Sequence, residues 1–182
     1  MKFHVKQAIS VAAAVMCAVA FSPMAQAQGS AAPTDPQIAE IVVVANQIDI
    51  DYGKLALSKT KNKEVRSFAQ QMVRDHSALN KSVEGLATKL HVTPATSDTS
   101  KSLEAQSKET TAKLKALRGR AFDKAYVDNE VAYHTAVIHE VATVLIPDAK
   151  NAELKSALEG AAPLFEGHLA HAKNIQASLN KN

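Results

Sequence analysis

The stretch from residue 62 to residue 90, NKEVRSFAQQMVRDHSALNKSVEGLATKL, decides the fold. In it Val65, Phe68, Ala69, Met72, His76, Leu79, Val83, Leu86 and Leu90 recur at helical spacing, which gathers them on one side of an α-helix. Asn62 supplies an N-cap, and Glu64 places an acid in the first turn, where the helix dipole favours it. The pattern stops ahead of Pro94, and residues 92–100, rich in Thr, Ser, Pro and Asp, predict a loop. One member of this apolar side is polar. His76 falls near its middle, four residues after Met72.

The same periodicity extends outward in both directions. A first helix is predicted from Asp35-Pro36, read as an N-cap acid followed by proline at the first helical position, to about Thr60. Its inward residues are Ile38, Ile41, Val42, Ala45, Ile48, Tyr52, Leu55 and Ala56. Residues 101–117 are polar with sparse leucines (Leu103, Leu114, Leu117) and predict a shorter helix laid against the others, interrupted at Gly119. A stronger helix follows from about Arg120 to Leu145. Phe122, Tyr126, Glu130, His134, Val137, Val141 and Leu145 share one arc of it, and Ile146-Pro147-Asp148 ends it. The last helix, from about Asn151 to Leu179, carries Leu154, Leu158, Ala161, Phe165, His168, Ala172, Ile175 and Leu179, with Pro163 inside it. No strand pattern competes, because runs such as Ile41-Val42-Val43-Val44 are embedded in helical periodicity. The expected fold is all-α: an antiparallel, ferritin-like four-helix bundle with an extra short helix before the third long one.

Residues 1–27 read as a cleavable secretory signal. Lys2 and Lys6 give the positive start, Ala8 to Phe21 the short apolar run, and Ala25-Gln26-Ala27 the cleavage site. Residues 28–35 then form a flexible leader, and residues 36–180 a single helical-bundle domain. Ala14-Val15-Met16 is a poor lipobox, so lipidation at Cys17 is not expected. Removal of the signal leaves 19 basic against 18 acidic side chains, a net charge of +1, and no cysteine. Disulfide and thiolate chemistry are thereby excluded for the mature chain, and no basic footprint for nucleic acid remains. No mature segment reads as a transmembrane helix. The expected location is the periplasm, with peripheral association to the envelope.

His76, His134 and His168 each fall on the apolar side of a different helix, and Asp49, Glu130 and Asp123 lie on such sides as well. A buried imidazole needs partners for both nitrogens. Counting 1.5 Å per residue from turns near residues 61 and 148 puts Asp49 at ~18 Å, His76 at ~22 Å, His134 at ~21 Å, Glu130 at ~27 Å and His168 at ~29 Å. If both turns lie at the same end, these five share a slab roughly 10 Å thick. Asp123 lies nearly two turns farther out and is a weaker member. Asp75, beside His76, is read either as an outer partner orienting that imidazole or as a solvated charge, the second being slightly preferred. His171 points toward the edge of its stripe, and His91 and His139 look peripheral.

Nitrogen and oxygen donors of this kind suit zinc, iron, copper or manganese. The ferritin di-iron pattern is disfavoured, since no histidine here has Glu three residues before it. In one reading the histidines and acids hold a transition metal in a non-enzymatic periplasmic protein with an envelope or stress-related role. In a second the histidines are structural and the protein is an envelope scaffold acting through a surface or through residues 101–117. A third, a metal-dependent redox enzyme, needs an open coordination position that no motif declares.

Asn46-x-x-Asp49-Ile50-x-x-Gly53-Lys54-Leu55-Ala56 is followed by Asn62-x-x-Val65-x-x-Phe68-Ala69-x-x-Met72-Val73-x-Asp75-His76. Leu117-x-Gly119-x-x-Phe122-Asp123-x-x-Tyr126, His134 and the segment from Pro163 to His168-Leu169 continue the pattern. Over residues 36–178 these motifs resemble a bacterial exported family, domain of unknown function 4142, often labelled predicted outer-membrane protein. The resemblance implies a ferritin-like helical fold and an envelope location, and it implies no reaction. The family commonly carries Glu where this chain has Asp49. The outer-membrane label fits poorly, because no barrel strands are legible.

Overall fold

The computed structural model describes residues 31–181, all of whose regular structure is helical. The predicted signal, its cleavage site and the start of the leader lie outside the described residues. Helix α1 spans Asp35–Lys59, α2 Lys63–Lys89, α3 Asp98–Ala116 and α4 Gly119–Glu140. A π-helical turn, Val141–Leu145, joins α4 to the short α5, Ile146–Asp148, and α6 runs Ala152–Lys181. The all-helical class expected from periodicity is what forms.

The ends of the helices follow from local chemistry. Thr34, not Asp35, is the N-cap of α1, and Gln37 Oε1 accepts its backbone N–H at 3.0 Å. Asp35 is instead the first helical residue, and its carboxylate accepts the N–H groups of Lys150 and Asn151 at 2.8 and 2.9 Å. The acid thus ties the start of α1 to the start of α6. Asn62 caps α2 as expected, accepting from Glu64 and Val65 N–H at 2.9 and 3.2 Å. Asn151 does the same for α6 through Glu153 and Leu154. The polar helix begins earlier than predicted, because Ser97 and Ser100 form a capping box ahead of residue 101.

The fourth helical rod does not stop at Leu145. It widens there, with the Ile146 N–H reaching back five residues to the Val141 carbonyl, and continues to Asp148. Pro147 accounts for the widening: its ring would press on the carbonyl four residues earlier in a regular helix. Pro163 in α6 is exposed, so its ring lies on the outer side of that helix.

α2 runs back along α1. Ala69 and Val73 face Gly53, His76 faces Asn46, and Asn80 reaches the Val43 carbonyl. Gly53 sets the closeness of this pair, since a Cβ there would lie 2.8 Å from Val73 Cγ2 and 3.0 Å from the Ala69 carbonyl oxygen. α6 similarly runs back along α4, from Arg120 at the Leu179 carbonyl to Asp128 at Gln176. The core divides into two apolar clusters. One contains Ile48, Tyr52, Phe68, Met72, Phe122, Tyr126 and Val127. The other contains Ile38, Ile41, Val141, Leu145, Leu158 and Phe165. In sequence, His76, Glu130, His134 and His168 fall between residues of the two clusters, whereas Asn46 and Asp49 lie beside the first-cluster residue Ile48, and Asp123 beside Phe122.

Candidate metal centre

The structure brings the five predicted inward polar residues, and Asn46 with them, into one layer of the core. α1 supplies Asn46 and Asp49, α2 His76, α4 Glu130 and His134, and α6 His168. All of them are buried, with exposures of 2% or less. The ring centroids of His76, His134 and His168 lie 5.7, 5.2 and 5.4 Å apart, nearly an equilateral triangle. Phe165 stacks on His76 at 5.9 Å and covers the triangle from the second apolar cluster.

Each ring is held by one nitrogen. Asn46 Oδ1 lies 2.9 Å from His76 Nδ1, the Glu130 carbonyl oxygen 3.1 Å from His134 Nδ1, and Asp75 Oδ2 3.0 Å from His168 Nε2. These oxygens accept, so the three held nitrogens carry the protons and the opposite nitrogens carry lone pairs. Those opposite nitrogens, His76 Nε2, His134 Nε2 and His168 Nδ1, have no hydrogen-bond partner among the described residues. The three histidines each offer a ligating atom within 4.8 Å of the others, and Asp49, Glu130 and His134 form a second such group.

Asp49 Oδ2 stands 3.4 Å from His76 Nε2, whereas Glu130 Oε2 stands 3.5 Å from His134 Nδ1, the nitrogen already committed to a carbonyl. Asp49 therefore flanks a lone-pair nitrogen, and Glu130 lies behind a ring. Burial lifts the Asp49 carboxyl from 3.8 to about 8, with Glu130 beside it moderating the rise. Burial, and then the negative field of Asp49, lifts Glu130 well above its ordinary range. The pair retains a proton near neutral pH. Burial, and next the fields of the neighbouring rings, lowers His76 to about 3, and burial with the His168 field lowers His134 to about 4. Both rings are neutral at pH 7 and need not lose a proton before donating a lone pair.

Asp75 is neither a free solvated charge nor a partner of its neighbour His76. It is bonded to His168 across the α2–α6 seam, and its other oxygen accepts from Arg74 Nε at 3.0 Å. Burial works against its ionisation, but the His168 bond and the Arg74 charge outweigh it and hold the carboxyl below its usual value. Asp123 is buried, but it belongs to neither candidate ligand group. His171 bonds Gln71 at 3.0 Å at the edge of the stripe, and His91 and His139 are exposed. Asn46 is a contact of the triangle that periodicity did not single out, whereas Phe165 stands on the predicted stripe of α6. The signal for Asn46 was its position three residues before Asp49, on the same side of α1.

The family model described as a domain of unknown function, DUF4142, matches residues 20–175. No curated protein matches the chain. Among solved structures, a Streptomyces coelicolor protein described as secreted and assigned to DUF305 superposes with a TM-score of 0.67 at 15% identity, over 79% of this chain and 92% of that one. CopM in its Cu(II)-bound form superposes with a TM-score of 0.61 at 13% identity, over 81% of this chain and 98% of that one. At such identities the likeness is one of fold. No described helix is long and apolar enough to cross a membrane.

Proposed function

The chain belongs to the DUF4142 family, and we propose that it is an exported, non-enzymatic helical-bundle protein that binds a transition-metal ion in the layer between its two apolar clusters. The ligands are His76, His134 and His168, with Asp49 as the fourth. The observation that carries this reading is the division of labour within each ring. One nitrogen is fixed by Asn46, the Glu130 carbonyl or Asp75, and the other is buried with no hydrogen-bond partner among the described residues, Asp49 standing 3.4 Å from that of His76. A histidine serving only to fix helix register would be expected to satisfy both nitrogens, because leaving a buried polar atom unpaired costs ~1–3 kcal/mol.

The three histidines group within 4.8 Å, and Asp49 groups with Glu130 and His134, so His134 links the two sets and an ion would draw the donors together. The 3.4 Å from Asp49 Oδ2 to His76 Nε2 is close to the roughly 3.3 Å between neighbouring ligands when metal–ligand bonds are ~2.0–2.1 Å. Asp49 is shorter than the Glu common in the family, yet its Oδ2 stands beside His76 Nε2. Glu130 supports the centre from behind His134 and shares the proton of the carboxyl pair. Imidazole with carboxylate suits copper, zinc or iron, and the Cu(II)-bound form of a protein with this fold makes copper the first ion to test. Bound there, the ion would take the place of the proton that the buried carboxyl pair otherwise keeps. The signal-like residues 1–27 favour a role in the envelope.

Metal analysis of protein purified without a His tag, followed by copper and zinc titration, tests the reading. Binding is expected in the wild type and lost in the triple variant His76→Ala/His134→Ala/His168→Ala. Equal affinity in the two proteins would end the metal assignment.

A further inference from the structure

The α2–α6 seam differs from the other boundaries of the centre. Asp49 and Glu130 have side-chain exposures of 3% and 0%, and Asn46 is equally sealed. Phe165 closes one side, and Tyr133, beside His134, commits its hydroxyl to the Ala45 carbonyl. The Asp75 side chain, bonded directly to His168, is 16% exposed. One turn away in the same seam, Gln71 and His171 form another half-buried polar pair. Arg74, 68% exposed, stands at the mouth with its guanidinium on the second oxygen of Asp75.

We propose that a metal ion enters and leaves through this seam, with Asp75 as the carboxylate that first receives it and Arg74 as the cation that holds that carboxylate closed. The proposal rests on the metal-binding reading above. An incoming cation meets the like charge of Arg74 and must displace it from Asp75 Oδ1. An ion that Asp75 holds through both oxygens also takes Oδ2 from His168, and the ring is then free to turn its lone pair toward the ion. When His168 has taken the ion, its Nε2–H returns to Asp75 and the seam closes. Asp75 is thus both the receiving group and the positioning partner of His168.

The test is stopped-flow mixing of Cu²⁺ with the full chain, and separately of Zn²⁺, at low and moderate salt. Arg74→Gln removes the guarding charge at a surface position that leaves the core intact, and Asp75→Asn keeps the size and a hydrogen bond to His168. Arg74→Gln is expected to speed capture severalfold and Asp75→Asn to slow it about tenfold, the effects shrinking with salt. A merely positioning Asp75 gives a different signature: unchanged capture and faster release, as when an outer partner of a metal ligand is lost. Capture rates unchanged in both variants would overturn the route and leave the centre standing. Failure of the wild type to bind either ion would overturn the metal reading itself.

Discussion

The apolar clusters and the polar layer between them are built from the same helices but obey different rules. In the cluster containing Phe68, Phe122 and Tyr126, the aromatic rings pack on one another at 6.1–6.2 Å and all three residues are 0% exposed. Its stability comes from apolar area and fit. The polar layer is equally buried, yet it holds nitrogens without a hydrogen-bond partner among the described residues and two adjacent carboxyls. Such a layer costs stability unless something offsets it. Packing and binding are therefore assigned to separate heights of one core, and substitutions should separate them.

The largest effect is expected from Phe68→Ala, which should lower unfolding free energy by about 3–5 kcal/mol in a denaturant titration. Copper affinity of the fraction that remains folded should stay near wild type. A comparable loss of affinity would mean that the two heights are not separable. Next comes the ion. At a hundred to a thousand times its Kd, copper or zinc should stabilise the wild type by about 2.7–4.1 kcal/mol, read as a rise in Tm. His134→Ala should abolish that rise, since His134 belongs to both ligand groups. Gly53→Ala sharpens the comparison from the backbone side. It should cost about 1–3 kcal/mol by forcing α1 from α2 at Val73 and Ala69. Undiminished stability would mean that the pair can part freely.

The smallest effect is the dependence on pH of the metal-free protein. His76 and His134 are depressed from 6.5 to about 3 and about 4, so below pH 6.5 the unfolded chain binds protons that the folded chain refuses. Their contribution is lost as pH falls from 6.5 through those values. Asp49, raised from 3.8 to about 8, acts in the opposite sense. The folded chain keeps a proton that the unfolded chain has released, so this contribution is present in acid and lost as pH rises through about 8. Between about 4 and 6.5 the two oppose one another. From 6.5 to 8 the carboxyl pair acts alone, and Tm should decline. Thermal melts of Asp49→Asn should show a shallower decline, and an unchanged slope would reassign the proton to Glu130.

Much of this is legible in the sequence. Met72, His76 and Leu79 share a side of α2 because the helix turns 100° per residue, and the same arithmetic turned His134 and His168 inward. The helical rise placed them at similar depth. The partner of Asp75 was not legible. It lies on α6, 93 positions away in sequence, and nothing in the local spacing of Arg74-Asp75-His76 distinguishes a bond to His168 from one to His76. The π-helical turn before Pro147 was equally hidden. Proline announces a disturbance, but how the chain absorbs it depends on packing at Val141 and Leu145.

The sequence alone thus determined that this chain forms long helices and that three histidines and two acids face inward, because helical geometry sets the direction of every side chain along its own axis. Only the tertiary structure decided which nitrogen of each ring is tied and which is free, which carboxylate flanks a lone pair, and which seam touches water. Those outcomes depend on rotation about side-chain bonds and on neighbours from other helices, and no spacing within one helix encodes either.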